Sequence, residues 1–421
     1  MINKDYSVLR ELAKEVAEVA SLPIHKRKID MWKRLNSLKK VRPLIWINEI
    51  PWHEMDINNE LKNQCEDDFC RQYEVYLRRI LYQWKHMRAD MIIEPKIFYP
   101  LAITDTGFGI TQDVDIVKTD ETSNIISRSF HPQINSEKDI EKIKYPKIYF
   151  DEKASNLNYE KTHEIFDEIL TIEKMGPSEE GVAGFWFAPW DYLIQWWGVE
   201  QAMIDMMQRP KLVHQAMERF VNANISRLEQ YERMNLLTLN NGNFRIGSGG
   251  LGYTDELPKS DFDSKHVRTI DLWGNSAAQI FSGISPAMHE EFSLQYEIRW
   301  LSKFGLNYYG CCEPLDKKIS ILKKIPNLRK ISMSPWVNLE NAASNVQDRY
   351  VFSWKPSPAI FSSDSWDIDL IKKNLKRDLK KIRGCIIEII MKDISTVRYK
   401  PQRLWDWEKI AIEAVEEFGS H

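Results

Sequence analysis

The chain has 421 residues, of which 43% are hydrophobic and 28% are charged, enough to bury the core of one large domain or two ordinary ones. Its formal net charge is -3, with acidic and basic residues mixed along the chain, so charge gives no case for binding nucleic acid or an anionic membrane. The first residues begin a charged amphipathic helix instead of a signal peptide, and no apolar run is long enough to span a bilayer. We therefore expect a cytoplasmic protein that acts on small molecules.

The first 180 residues contain two predicted strands. Residues 1–40 have apolar residues at helical spacing and form a predicted helical preamble. The apolar run 42–53 is the first predicted strand and residues 89–95 are the second, with a long helix over 60–89 between them. Residues 100–180 lack a clear period, and we expect a hairpin or an insert over the mouth of the domain.

Strands and helices alternate through the rest of the chain. The remaining predicted strands cover 184–190, 236–241, 305–310, 328–336, 350–356 and 385–392, and a short apolar piece covers 267–274. The glycine-rich segment 247–252 could cradle a phosphate, but it has no Walker lysine, so we favour a flexible active-site loop. Eight alternating units predict an α/β fold, a (β/α)8 TIM barrel formed by one domain over 1–421, with an N-terminal helical extension and an insert after strand 2.

The most reactive pattern follows the strand at 305–310, where Cys311, Cys312 and Glu313 lie between Gly310 and Pro314. Two thiols and a carboxylate suit a soft metal such as zinc. A second interpretation is that the cysteines are small buried apolar residues, since adjacent side chains on a strand point to opposite faces. The other three cysteines fit reduced thiols better than a disulfide framework.

Many other polar and aromatic residues fall at predicted strand ends, which lie at one mouth of a barrel. The polar ones are Asn48, Glu49, Glu94, Asn240, Asn241, Ser334 and Lys355, and the tryptophans are Trp46, Trp186, Trp190, Trp273, Trp336 and Trp354. Strand ends are also polar simply because they meet solvent. An acidic, aromatic-walled mouth would attract cations and neutral aromatics.

Glu388 differs from these strand-end residues, because it lies inside an apolar strand, where an unpaired carboxylate is costly. We expect it to face the barrel interior and to pair with Lys, Arg or a metal. On this reasoning Glu388→Leu impairs function more than stability.

Several segments make the chain resemble the uroporphyrinogen decarboxylase superfamily, which includes zinc methyltransferases that move methyl groups between corrinoid proteins and thiols. The segments are 188–193 with 198–200, then 271–274 with 284–288, and Tyr309-Gly310-Cys311 falls where those methyltransferases carry His-x-Cys-Gly. The resemblance covers about residues 30–420. Two departures stand out: the arginines that grip substrate carboxylates after the first strand are missing, and Tyr309 replaces the histidine ligand.

The resemblance implies a methyltransferase or demethylase that acts on a small apolar, aromatic or quaternary-ammonium methyl donor. No Asp-x-His-x-x-Gly motif occurs, so any corrinoid must come on a partner protein. A metal-free decarboxylase or lyase and a non-catalytic binding barrel are the alternatives. The site hypothesis assigns catalysis to Glu49, Glu94, Tyr309 and Glu388, substrate binding to Trp46, Asn48, Trp186, Asn240, Asn241, Trp273, Trp336 and Lys355, and Zn²⁺ to Cys311, Cys312 and Glu313.

Overall fold

The computed structural model describes residues 4–118, 126–179 and 182–419. In chain order the strands of these residues are β1 Leu44–Ile47, β2 Lys96–Pro100, β3 Ile103–Asp105, β4 Val114–Lys118, β5 Ile126–Phe130, β6 Ile148–Phe150, β7 Thr171–Met175, β8 Ser178–Glu179, β9 Val182–Ala183, β10 Trp273–Ser276, β11 Leu306–Tyr309, β12 Leu328–Met333, β13 Val351–Trp354 and β14 Ile386–Met391.

The α-helices of the described residues are α1 Lys4–Ala20, α2 Ile24–Asn36, α3 Asp68–His86, α4 Glu137–Ile140, α5 Glu152–Phe166, α6 Pro189–Trp197, α7 Val199–Gln208, α8 Pro210–Arg233, α9 Pro286–His289, α10 Gln295–Leu301, α11 Ile319–Leu322, α12 Leu339–Val346, α13 Ile368–Lys381 and α14 Gln402–Gly419. Short 3-10 turns cover Trp52–Glu54, Thr269–Asp271, Gln279–Gly283 and Pro358–Ser362, and a π turn covers Glu290–Leu294. Within the described residues, no helix has the length and apolar character needed to cross a membrane.

The centre of the fold is a six-stranded sheet in the order β1-β14-β13-β12-β11-β10, and every neighbouring pair is parallel. Its strands are buried on both faces, and all six residues of β14 are buried, as expected for a parallel sheet covered by helices. The predicted strands at 42–53, 305–310, 328–336, 350–356 and 385–392 are found here as β1 and β11 to β14. The chain is therefore an α/β protein.

Three of the strand predictions are wrong. Residues 89–95 and 236–241 form no strand, and residues 184–188 are irregular up to Pro189, where α6 begins. The short apolar piece 267–274 instead leads into β10. The hydrogen-bonded ladder of the described residues therefore has six strands and two edges, β1 and β10, where the sequence predicts a closed ring of eight.

Side chains attach the irregular segments to these two edges. At β1, Asp90 accepts a hydrogen bond from Ile45 N at 2.8 Å and donates its own N–H to Ile45 O at 3.2 Å. At β10, the side chain of Asn240 accepts from Trp273 N at 2.8 Å and donates to Trp273 O at 3.0 Å. The side-chain amide of Asn240 thus forms the two hydrogen bonds that the backbone of a neighbouring strand would otherwise form.

Asn275 of β10 makes a similar attachment from the sheet outward. Its Nδ2 donates to Phe185 O at 2.9 Å, and Phe187 N donates to its Oδ1 at 3.4 Å. The segment 184–188 therefore lies beside β10 without a backbone ladder.

The helical preamble is formed by α1 and α2, and α2 places Trp32, which has no solvent exposure, against the concave face of the sheet. The segment 100–180 contains the antiparallel pairs β4–β5 and β3–β6, and its strand β7 pairs in parallel with β2, which begins before the segment. The antiparallel pairing of β4 with β5 agrees with the hairpin predicted in this segment, and residues 119–125 lie outside the described residues.

The glycine-rich segment is buried, so its interpretation as a flexible loop is wrong. A Cβ on Gly249 would lie 2.5 Å from the ring of Tyr308 and 2.6 Å from the carboxylate of Glu388, and one on Gly250 would lie 2.4 Å from Trp32. Only residues without side chains allow the backbone to approach this closely. The segment fills the concave face of the sheet between α2 and β11.

Candidate active site

A buried hydroxyl network lies on the concave face toward the carboxyl ends of the strands. Lys355 Nζ donates to Tyr308 OH at 2.9 Å and to Ser332 Oγ at 2.6 Å. The Tyr308 hydroxyl is also 3.1 Å from both Ser353 Oγ and Ser248 Oγ. Lys355 is 2% exposed and forms no salt bridge with any described residue, which leaves a buried cation without a carboxylate partner.

The chain turns sharply after β11 and brings both neighbouring cysteines to the same side. Gly310 has φ +97°, and a Cβ there would lie 2.5 Å from Leu315, so a larger residue would be strained. The Sγ atoms of Cys311 and Cys312 are 3.6 Å apart. The two cysteines lie in a turn, so the opposite-face argument for strand residues does not apply to them.

The sulfur of Cys311 faces a chain of charged side chains. Lys392 Nζ lies 3.8 Å from Cys311 Sγ, 3.3 Å from Glu49 Oε2 and 2.9 Å from Asp393 Oδ2. Arg245 Nη1 then lies 2.8 Å from Glu49 Oε1. Three contacts therefore connect Arg245 through Glu49 and Lys392 to the sulfur.

Neighbouring groups favour the charged forms of Cys311, Glu49 and Lys392, whereas burial and the neighbouring Glu49 raise the pKa of Asp393. The hydrogen bond from Cys312 lowers the pKa of Cys311, and Lys392 adds to this effect against the opposing effect of burial. Burial raises the pKa of Glu49, but Lys392 and Arg245 outweigh it and bring this pKa to about 2. The pKa of Lys392 is raised, because Cys311 and Glu49 outweigh the effect of its burial.

Cys311 lies among charged groups of both signs. Lys392 and Lys355 favour its thiolate form, whereas the carboxylate of Glu313, which accepts a hydrogen bond from Cys311 N at 2.9 Å, opposes it. The hydrogen bond from Cys312 has the largest effect and lowers the pKa of Cys311.

The residues expected to bind zinc do not fit that role here. Glu313 is fully buried, and its two oxygens accept hydrogen bonds from Ala278 N at 3.1 Å and Cys311 N at 2.9 Å. Within 4–118, 126–179 and 182–419, no group of three His, Cys, Asp or Glu side chains could hold a metal ion. The cation that lies beside Cys311 is the ammonium of Lys392.

Tyr309 lies on the opposite face of β11 from Tyr308. Its hydroxyl donates to Glu297 Oε2 at 2.7 Å and is 2.7 Å from His289 Nε2. Burial raises the pKa of Glu297 to about 7 and lowers that of His289 to about 3. The structure therefore places Tyr309 in a polar network behind the sheet and away from Cys311.

Glu388 is paired, as its apolar surroundings predict. Its Oε2 lies 2.8 Å from Lys330 Nζ, neither residue is exposed, and Gly250 N donates to its Oε1 at 3.2 Å. Both residues lie in the first half of their strands, and Lys330 Nζ is 5.7 Å from the ring centroid of Trp32. Glu388 is level with Ser353 in the register of the sheet, and its proposed catalytic role stays a prediction.

Glu94 lies apart from the cysteines. It accepts a hydrogen bond from Tyr253 OH at 2.9 Å and lines a separate cavity of about 440 Å³ with Tyr76 and Phe244. Because Glu49 is neutralised by cations and Glu94 is elsewhere, the two carboxylates do not form one acidic mouth.

The predicted aromatic wall is only partly assembled. Trp186 packs against a small cluster formed by Ala188, Ala277 and Cys311. Trp46 lies on the inner face of β1, and its Nε1 is buried and unpartnered among the described residues. Trp273 is the first residue of β10, and its Nε1 donates a hydrogen bond to Gly252 O. Trp336 is 79% exposed, and the side chain of Trp354 belongs to the core on the outer face of the sheet.

Two of the three predicted asparagines have structural hydrogen bonds, and the third has none through its side chain among the described residues. The Asn240 amide holds the edge of β10, and Asn241 Nδ2 donates to Leu257 O. Both side-chain polar atoms of Asn48 are buried and lack a partner among the described residues, so this residue can still bind another group.

Four residues near the cluster were missed by sequence reasoning: Tyr308, Lys392, Arg245 and Asp191. Lys392 could have been found, because it continues the alternation of Glu388 and Ile390 on the inner face of the last strand. Asp191 accepts a hydrogen bond from Gln279 at 2.6 Å, and burial raises its pKa to about 6. Arg245 comes from an irregular segment that carries no such signal.

Comparison with known proteins supports the fold and leaves the family open. No protein-family model matches the chain, and no curated protein matches it either. Among solved structures, a methyltransferase from Methanosarcina mazei matches over 93% of this chain and 98% of its own, with a TM-score of 0.52 and 13% sequence identity. At this identity the likeness shows a shared α/β fold.

Proposed function

We propose that the chain is a methyltransferase-like enzyme in which the Cys311 thiolate accepts a methyl group from a small donor. The observation that carries the proposal is the position of this sulfur, which follows β11 and lies 3.8 Å from the Lys392 ammonium. Chemistry in α/β folds is concentrated at the carboxyl ends of parallel strands. The fold shared with a methyltransferase supports the same assignment.

In the proposed step, the sulfur attacks the methyl carbon of a methylated amine or ether. A sulfur–carbon bond forms as the carbon–nitrogen or carbon–oxygen bond breaks, and the electron pair stays on the departing heteroatom. A second nucleophile then attacks the methyl carbon, and the thiolate leaves. Lys392 raises the fraction of the sulfur that is present as thiolate before attack, and it stabilises the thiolate that leaves in the second step.

The second acceptor is proposed to be a corrinoid carried by a partner protein. Support comes from the resemblance of the segments near 188–200, 271–288 and 309–311 to the uroporphyrinogen decarboxylase superfamily, and we propose membership of that superfamily on the same residues. The step at Cys311 needs no metal ligand from Glu313.

We also propose that the architecture is a (β/α)8 barrel in which three strands are irregular. The segments attached through Asp90, Asn240 and Asn275 occupy the positions of strands beside β1 and β10. Side-chain hydrogen bonds would then replace part of the backbone ladder that an ideal barrel has.

The test is to incubate the purified chain with isotope-labelled methyl donors and to locate the label by peptide mass spectrometry. We expect one labelled methyl group on Cys311 in the wild type and in Cys312→Ser, and none in Cys311→Ser. A wild-type chain that transfers methyl groups without modification at Cys311, or full activity in Cys311→Ser, would contradict the mechanism.

A metal-free decarboxylase is the second candidate, and Lys355 is the observation that favours it. This buried ammonium has two hydroxyl partners and no salt bridge with a described residue, so it could stabilise negative charge that develops on a substrate. Release of carbon dioxide from a carboxylate substrate, with no label on Cys311, would favour this candidate.

A further inference from the structure

Two buried hydrogen-bond donors next to Glu49 have no partner among the described residues. They are Nε of Arg245 and Nδ2 of Asn48, and the Oδ1 of Asn48 is unpartnered as well. Buried polar groups in folded proteins nearly always have a partner. Two unpartnered donors on either side of one residue therefore point to a group that is supplied from outside the chain.

These donors lie at the same cluster as the reactive sulfur. Arg245 reaches Glu49 at 2.8 Å, Glu49 reaches Lys392 at 3.3 Å, and Lys392 reaches Cys311 at 3.8 Å. Asn48 directly precedes Glu49, and its backbone N–H donates to Met391 O at 3.0 Å, one residue before Lys392. These contacts therefore link Arg245 to the sulfur through Glu49 and Lys392, and they place the backbone of Asn48 beside the end of the strand that leads to Lys392.

The chemistry of the donors selects the kind of group. A guanidinium N–H is a charged donor with fixed direction, and it prefers a carboxylate or phosphate oxygen. The neighbouring Glu49 is neutralised by Arg245 Nη1 and Lys392, so it does not repel such a group in full. Lys355 adds a third buried cation in the same cluster, and only two of its three N–H groups have partners among the described residues.

We propose that the methyl donor carries a carboxylate, which accepts hydrogen bonds from Arg245 Nε and Asn48 Nδ2 while the methyl group lies at Cys311. This inference rests on the proposed function and names its substrate class as small methylated carboxylates. It replaces the expectation of a purely cationic or neutral donor. The arginine that would bind this carboxylate is Arg245, in the irregular segment before the glycine-rich loop. In the superfamily that the chain resembles, the arginines that bind substrate carboxylates follow the first strand instead.

The experiment compares matched ligands that differ in the carboxylate. Glycine betaine and choline share a trimethylammonium group but carry a carboxylate and a hydroxyl, and 4-methoxybenzoate and 4-methoxybenzyl alcohol form a second pair. Binding to the whole purified chain is measured by calorimetry and by thermal shift. We expect the carboxylate member of at least one pair to bind about tenfold more tightly or better, which is a difference of about 1.4 kcal/mol.

Two site variants and one control locate the effect. Arg245→Lys keeps the charge beside Glu49 but loses the guanidinium Nε–H, and Asn48→Ala removes the amide, so each should reduce the carboxylate preference. Lys372→Gln removes a positive charge at an exposed ion pair with Glu413 and should keep the wild-type preference. Circular dichroism of each variant confirms that it is folded.

Equal binding of both members, binding of neither pair, or an unchanged preference in both site variants would overturn the inference. Its failure can be told apart from failure of the proposed function. Carboxylate preference without a methyl group on Cys311 supports the inference and contradicts the methyl-transfer mechanism. Equal methylation of Cys311 by both members of a pair supports the mechanism and contradicts the inference.

Discussion

Replacing Glu388 with leucine tests how the interior of the sheet is held together. The carboxylate is 2.8 Å from Lys330 Nζ, both residues are fully buried, and the leucine would leave the ammonium without its counterion. Removing one partner of a buried ion pair costs about 3 to 5 kcal/mol. The sequence alone predicts a larger effect on function than on stability, whereas these contacts predict a large loss of stability.

The assay is urea unfolding followed by circular dichroism for Glu388→Leu, Lys330→Met and the double variant. We expect each single variant to lose stability and the double variant to recover much of the loss, because two apolar side chains leave no buried charge. Glu413→Gln is the control, since its ion pair with Lys372 is exposed and should contribute little to stability.

The pH dependence gives a second readout of the same pair. Burial lowers the pKa of Lys330 from its ordinary value of 10.5, so the unfolded chain binds more protons than the folded chain as pH approaches that value. Stability from this group therefore rises with pH. Without Glu388 the lowering is larger, and the deficit of Glu388→Leu should shrink as the solution is made alkaline. Wild-type stability in Glu388→Leu, or a double variant as unstable as the summed single variants, would refute this reasoning.

Two further predictions concern the acid limit of stability and the buried glycines. The pKa of Glu49 falls from 4.5 to about 2 on folding, so its contribution, on the order of 3 kcal/mol, is complete above pH 4.5 and is lost as pH falls toward 2. Thermal unfolding across this window should show a flatter slope for Glu49→Gln, and an unchanged slope would contradict the assignment. Gly249→Ala should lose about 1 to 3 kcal/mol through overpacking against Tyr308, whereas Gly242→Ala, whose Cβ would meet nothing within 4 Å, should stay close to wild type in urea unfolding. Equal effects of the two alanines would count against a packed glycine segment.

The sequence predicted the strands that pair through their own backbones. The apolar runs that contain β1 and β14 are short and mostly buried, which is the pattern typical of strands in a parallel sheet. Residues 236–241 look the same in sequence but form no ladder, because Asn240 bonds to Trp273 through its side chain. The hydrophobic pattern of a segment does not reveal whether a backbone N–H or C=O group will form its hydrogen bond with another backbone or with a side chain.

The candidate site was predicted in part for similar reasons. Cys311 could be identified because a reactive residue between Gly310 and Pro314 marks a strand end. The choice of Tyr309 over Tyr308 came from the resemblance to a histidine ligand, whereas alternation along β11 puts Tyr308 on the inner face. Arg245 depends on a long-range contact with Glu49, and no local pattern carries that information.

The side-chain attachments at the sheet edges also bear on aggregation. An open edge of a parallel sheet presents unpaired N–H and C=O groups on which another chain can add a strand. At β1 these groups of Ile45 are bonded to Asp90, and at β10 those of Trp273 are bonded to Asn240. These contacts occupy the outward-facing N–H and C=O groups of one residue at each edge, so a strand from another copy of the chain could not pair with Ile45 or Trp273 without displacing them.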